Sequence, residues 1–293
     1  MPGAPPRLKH RTALLLAAIA CALPAAVAAN GPMAPAVQPA ISPFALSGPM
    51  QQGGLVHGRV PQATAQLLLD GAPVPVSADG QFIVAFDRDA PPTATLTAQR
   101  ADGSRIEQQL AVRPGNWRIE HVDAPPLGSA ATTEEFKARR AVELEQIDAA
   151  RKLVTGAQGW RQDFIWPIKA RISGRFGSQR IYRGNPGSYH SGLDLAGGAG
   201  TAFVAPADGV VILAASEPFT LEGHLLLIDH GMGLTSAFLH CSRLDVQEGD
   251  AVHRGQMLGA IGATGRASGP HLHWGLRWNM ARIDPLLLLG AAR

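Results

Sequence analysis

The sequence predicts a mainly β protein in which one helix separates two β-rich stretches, and three observations carry that reading. Glycine is frequent, 33 of 293 residues, and falls at turn-like positions. Apolar residues alternate with others in short runs such as Phe82, Val84 and Phe86. Only residues 132–154 change to the Glu, Arg, Lys and Ala composition of a helix. With 46% of residues apolar, ordinary cores can form, and the length allows more than one domain.

Residues 1–29 read as a signal peptide. Arg7, Lys9, His10 and Arg11 precede an apolar run from Thr12 to Leu23, Pro24 breaks it, and Ala26-Val27-Ala28 offers a small-residue cleavage site. The run is shorter than the ~20 residues of a spanning helix, so no transmembrane span is expected in the mature chain. An uncut anchor, or lipidation at Cys21, is the alternative; Ala18, three before that cysteine, is smaller than a lipoprotein site prefers. Residues 30–52 are rich in Pro, Ala and Gly without periodicity and read as a flexible tether.

Residues 53–123 predict a small β-sandwich-like module. Asp70-Gly71, Asp79-Gly80 and Asp102-Gly103 are turn dipeptides, and Ala94, Leu96, Ala98 and then Ile106, Gln108, Leu110, Val112 alternate between them. No aromatic row or charged cluster marks a recognition face, so a spacer or scaffold role is preferred to a wall that binds substrate or shields the groove. Residues 130–157 predict a linker helix: Thr132 and Glu135 are spaced as a capping box, and Phe136, Leu144, Ile147 and Leu153 form a narrow apolar stripe under a solvated charged face. Residues 160–290 return to short strands broken by Gly231, Gly233, Gly249, Gly255, Gly259, Gly262 and Gly265.

The candidate chemistry lies in that last stretch. His271 and His273, one residue apart, share a face only if the chain is extended, with Leu272 and Trp274 on the reverse. His190 and Asp194 flank Gly192 in a Gly- and Pro-rich setting that argues against a helix; a turn at Gly192 or a short strand brings both to one point. Two imidazoles and one carboxylate from such motifs make a three-ligand zinc site with a position open for water. His57, His121, His224, His230 and His253 read as ordinary surface or hydrogen-bonded residues, with His230 at a turn.

His190-x-Gly192-x-Asp194, Ala205-Pro206-Ala207-Asp208-Gly209, Phe238-Leu239-His240-Cys241-Ser242 and Gly262-Ala263-Thr264-Gly265 through His273 resemble, in order and in register, the lysostaphin-like, LytM-type zinc endopeptidases of bacterial peptidoglycan. The residues before the helix resemble, more weakly, an amino-terminal module of some proteobacterial members. The resemblance implies an antiparallel sheet under a substrate groove, Zn²⁺ held by His190, Asp194 and His273, and His240 and His271 as catalytic residues beside the metal. It implies peptidoglycan peptide stems as substrate and a periplasmic or cell-envelope location. The family more often has an aromatic-Ala-His-Leu-Ser run where this chain has Phe238 to Ser242, but the histidine is kept. Some relatives have lost zinc ligands and activate other cell-wall hydrolases, so a noncatalytic activator is one alternative. A peptidase kept latent by its amino-terminal module, with a regulatory protein partner, is another.

The formal charge of +3 arises in the leader: without Arg7, Lys9 and Arg11 the chain carries 23 basic and 23 acidic residues. Nucleic acid is therefore not an expected partner. Cys241 alone remains after leader removal, which excludes an intrachain disulfide and makes a small buried residue the expected role.

Overall fold

In the computed structural model, which describes residues 42–125 and 133–289, the three Asp-Gly dipeptides are turns with their glycines at positive φ: 83° at Gly71, 78° at Gly80 and 83° at Gly103. They punctuate strands β1 (Leu55–Arg59), β2 (Thr64–Leu69), β3 (Ala72–Val74), β4 (Gln81–Ala85), β5 (Thr93–Arg100) and β6 (Arg105–Ala111). β1 pairs with β4, and a second sheet runs β3-β2-β5-β6, all antiparallel. The signal-peptide and capping-box assignments fall on residues 1–29 and Thr132, outside the described residues, as do residues 30–41 of the expected tether.

Residues 42–52 correct the remainder of that tether. Phe44 is fully buried and meets Phe82 edge-on at 6.3 Å, Ser47 bridges His57, and Gln51 bridges Arg113. Composition hid this because one aromatic anchor and two backbone bridges suffice to fix a segment that has no periodicity.

Strand β7 (Ile119–Val122) and helix α1 (Glu134–Arg151) follow. The N-cap is Thr133, whose hydroxyl accepts from the Phe136 amide, one residue later than the capping box predicts. The buried stripe also differs: Glu143, Ile147 and Ala150 face inward, while Leu144 and Leu153 are about half exposed.

The remaining strands are β8 (Arg171–Gly174), β9 (Gln179–Tyr182), β10 (Asn185–Pro186), β11 (Leu193–Ala196), β12 (Ala202–Val204), β13 (Gly209–Ala214), β14 (His224–Gly231), β15 (Leu234–Leu244), β16 (Ala251–Val252), β17 (Met257–Ile261), β18 (Leu272–Trp278) and β19 (Ala281–Ile283), before the short helix α2 (Pro285–Leu288). All but β9 and β10 form a large antiparallel sheet along β16-β13-β14-β15-β18-β11-β8, joined by β12, β17 and β19; β9 and β10 pair with each other. β7 pairs in parallel with β9, so the strand leading to the helix is built into the strands that follow it. One core runs from Phe44, Phe82 and Leu96 through Trp160 to Leu193, Leu226 and Trp274.

A second, smaller core seats α1 on that sheet, with Ile147 and Ala150 against Ile212, Phe219, Leu225 and Leu227. Among the described residues no helix is long and apolar enough to cross a membrane.

Candidate metal centre

Strand pairing sets Asp194 on β11 directly opposite His273 on β18. On its other side Asp194 pairs with Gly174, where a Cβ would lie 2.3 Å from Asp194 Oδ2; only glycine leaves room for the carboxylate. His190 lies in the turn ahead of β11, its amide bonded to Ser178 O at 2.8 Å and its carbonyl accepting from the Gly177 amide at 2.9 Å. Gly192 lets this turn close against β18, since a Cβ there would come within 2.6 Å of His273 Nε2. Of the two arrangements open to His190 and Asp194, the turn is the one formed.

The result is three donor groups around one point: the ligating atoms of His190, Asp194 and His273 lie within 4.8 Å of one another. Asp194 Oδ1 is 2.9 Å from both His190 Nε2 and His273 Nδ1. Two imidazoles and a carboxylate at this spacing suit Zn²⁺, which takes N and O donors at ~2.0–2.2 Å in tetrahedral geometry and leaves a fourth position open.

His271 and His240 stand beside this cluster. His271 Nε2 is 3.6 Å from Asp194 Oδ1, and the His240 and His271 rings are 4.9 Å apart. His271 Nδ1 faces Gly269 O at 2.8 Å and His240 Nδ1 faces Thr264 O at 2.8 Å. A carbonyl only accepts, so Nδ1 carries the proton in both rings and each Nε2 keeps a lone pair. His190 Nδ1 donates to Arg175 O in the same way at 3.2 Å.

Charge and burial oppose one another here. Burial would raise the Asp194 carboxyl, but the bonds from His190 and His273 hold it well below the usual carboxylate range. Burial likewise pulls His190 down, yet the Asp194 hydrogen bond and charge outweigh it and leave the imidazole raised. For His273 burial prevails over Asp194 and lowers the imidazole. Burial also lowers His240, assisted by its histidine neighbours.

The remaining histidines lie elsewhere. His57 stacks on Trp160 at 6.4 Å, His224 Nδ1 meets Ala215 O, and His121 and His253 lie at the surface. His230 is a correction: it is fully buried on β14, between Asp208 O at 2.7 Å and Ser236 Oγ at 2.8 Å, and the turn falls after it. Cys241 is fully buried, which pushes its thiol up to about 12 and leaves it no nucleophilic role.

Several supporting residues escaped the sequence reading. Glu222 O receives the His240 amide, and Thr264 Oγ1 bridges the His224 amide and Cys241 O. Glu222 is in turn clamped by Arg140 of α1 through two bonds of 2.6 and 2.7 Å. The run around Thr264 was a visible signal, but nothing near Glu222 in the sequence links it to the helix.

Residues 188–285 match the model of peptidase family M23. Peptidoglycan DD-endopeptidase ShyA of Vibrio cholerae is 38% identical over 112 residues, covering 37% of this chain and 25% of that protein. DD-carboxypeptidase/endopeptidase Mpg of Neisseria meningitidis is 34% identical over 123 residues, 41% of this chain and 27% of that protein. The chain thus spans about a quarter of the length of these curated relatives. A crystal structure from Pseudomonas aeruginosa described as peptidase M23 is 30% identical, covers 82% of this chain and 95% of that one, and superposes with a TM-score of 0.63. Similarity over nearly the whole of that structure, in a match that extends well beyond residues 188–285, places this chain in peptidase family M23.

Proposed function

We propose that this protein is an exported, zinc-dependent endopeptidase that hydrolyses peptide bonds of peptidoglycan, its crosslinks in particular. The convergence of His190, Asp194 and His273 within 4.8 Å, with two further histidines whose Nε2 atoms are free, carries the proposal. The named activities of the ShyA and Mpg relatives support the choice of substrate.

Zn²⁺ held by those three residues supplies a Lewis acid for the scissile carbonyl and lowers the pKa of water from 15.7 toward about 7. The protein's own groups complete the chemistry. Of His240 and His271, both with Nδ1–H fixed on carbonyls, one takes up the proton of the attacking water at Nε2 and returns it to the leaving amine. While protonated, that imidazole can donate its Nε2–H to the oxyanion that develops on the carbonyl. Arg175 O orients His190 through Nδ1–H and so leaves Nε2 for the metal.

The test is digestion of purified peptidoglycan by the mature protein, with bound zinc quantified, beside a His190→Ala variant. The expected result is about one zinc per chain and new peptide ends in the mass spectrum, both lost in the variant. Stoichiometric zinc without new ends would overturn the active endopeptidase and favour a peptidase kept latent by its amino-terminal module, whereas no zinc in a folded, metal-supplemented protein would favour an activator of other hydrolases. Export is checked on the same material, as an amino terminus near Ala29 or Asn30.

A further inference from the structure

Alternation along β18 places His273, Gly275 and Arg277 on one face of the sheet. That face, together with α1, encloses a cavity of about 340 Å³ that reaches from Ser191 and His273 to Arg151, Arg277 and Arg282. The three arginines are not matched by acids. Among the described residues none of them is within 4.0 Å of a carboxylate, and the Nε atoms of Arg151 and Arg277 are buried with no acceptor. Glu222, the acid that also lines the cavity, is occupied by the two bonds from Arg140, and Asp148 is paired with Lys152. Arg282 donates to Tyr189 Oη, and Arg277 approaches Met280 Sδ; neither contact balances charge.

Arg151 and Arg277 are half-buried and Arg282 is exposed, so the desolvation is partial, but guanidinium groups that face one another with no counter-charge repel, and a bound carboxylate relieves that repulsion. Burial and mutual repulsion push Arg151 down to about 10, and they lower Arg277 as well. Gly275 adds an independent observation. A Cβ there would meet nothing nearer than 3.7 Å, so packing does not require glycine; what glycine preserves is open floor between the metal centre and the arginines.

We infer that this arginine-lined cavity is a subsite for a carboxylate of the substrate, which makes the enzyme selective for peptide stems with free acid groups. Arg–carboxylate pairs are bidentate and strong where water is excluded, which suits two unsatisfied guanidinium groups. Arg277 lies four residues along β18 from His273, about 13 Å. An extended peptide rises by about 3.3–3.6 Å per residue, so the recognised carboxylate lies roughly two to four residues from the scissile bond.

The inference rests on the endopeptidase reading, and the experiment separates the two. A crosslinked stem peptide with free carboxylates and its fully amidated counterpart are compared as substrates, and also as ligands by calorimetry, with the zinc-loaded wild type and an Arg151→Gln/Arg277→Gln variant. The expected result is a KM and a dissociation constant at least tenfold lower for the acidic peptide in the wild type. In the variant that preference disappears, and the two peptides show equal KM and equal binding. Equal KM and equal binding of the two peptides by the wild type would overturn the subsite, whether or not the variant folds, and would leave the endopeptidase standing. Preferential binding of the acidic peptide without cleavage of either would do the reverse.

Discussion

At His240 the backbone adopts φ 65°, in the left-handed region that non-glycine residues rarely occupy. The register of β14 against β15 shifts at the same place, from Leu226 opposite Phe238 to His224 opposite Cys241. This bulge turns the His240 ring toward His271 while Cys241 stays in the core. Strain of this kind persists where surrounding bonds fix it, here the Glu222 and Thr264 carbonyls. His240→Ala is expected to retain about one zinc per chain while kcat falls by roughly 10²–10⁴, read from metal content and turnover on one preparation. His230 predicts a pH effect on stability. Burial lowers its folded pKa to about 4, against 6.5 for the unfolded chain. Below pH 6.5 the unfolded chain takes up the proton first, so stability is complete above that pH and is lost as pH falls toward 4. The expected loss is about 3 kcal/mol by pH 4. Urea midpoints at pH 7 and pH 4.5 check this, with a smaller difference in His230→Gln.

On the helix, a buried acid replaces the apolar contact that the sequence suggests. Glu143 accepts from the Thr220 amide and hydroxyl at 2.7 and 2.6 Å and from Arg139 and Arg140 at 3.1 Å. Burial would raise its carboxyl, and the Thr220 and arginine bonds reverse this. Through Arg140 and Glu222 the helix thereby holds the loop whose carbonyl fixes the His240 amide. Glu143→Ala leaves the Thr220 amide and hydroxyl without their acceptor while Arg140 keeps Glu222, and is expected to cost about 2 kcal/mol by denaturant unfolding and to lower kcat more than zinc content. Periodicity found the helix and its inward Ile147 but could not find this contact, because the partner of Glu143 lies 77 residues away on a loop. The strands of residues 53–123 were legible because Asp-Gly turns are local chemistry. The convergence of His190, Asp194 and His273 was legible because His190, Gly192 and Asp194 sit close in sequence and His271 and His273 share a strand face. The arginine cavity was not: Arg151, Arg277 and Arg282 come together only when α1 docks on the sheet.

Across the whole molecule, the amino-terminal strands brace the segment that presents His190. Arg88, 7% exposed, donates to Gly177 O and Gln179 Oε1 and lies over the Tyr189 ring at 4.6 Å. Gln179 begins β9, the partner of β7, and its amide bonds Arg118 O. These contacts are those of a scaffold that holds the segment before His190 in place. Arg88→Ala is expected to weaken zinc affinity about tenfold in a chelator competition assay, with His190 itself untouched.

Asp194 and His273 meet across strands although 79 residues separate them in the chain. Such non-local pairing is entropically expensive and forms late. A chain that has not yet folded therefore carries no preassembled cluster, and His190, Asp194 and His273 come within reach of one another only in the step that closes the sheet.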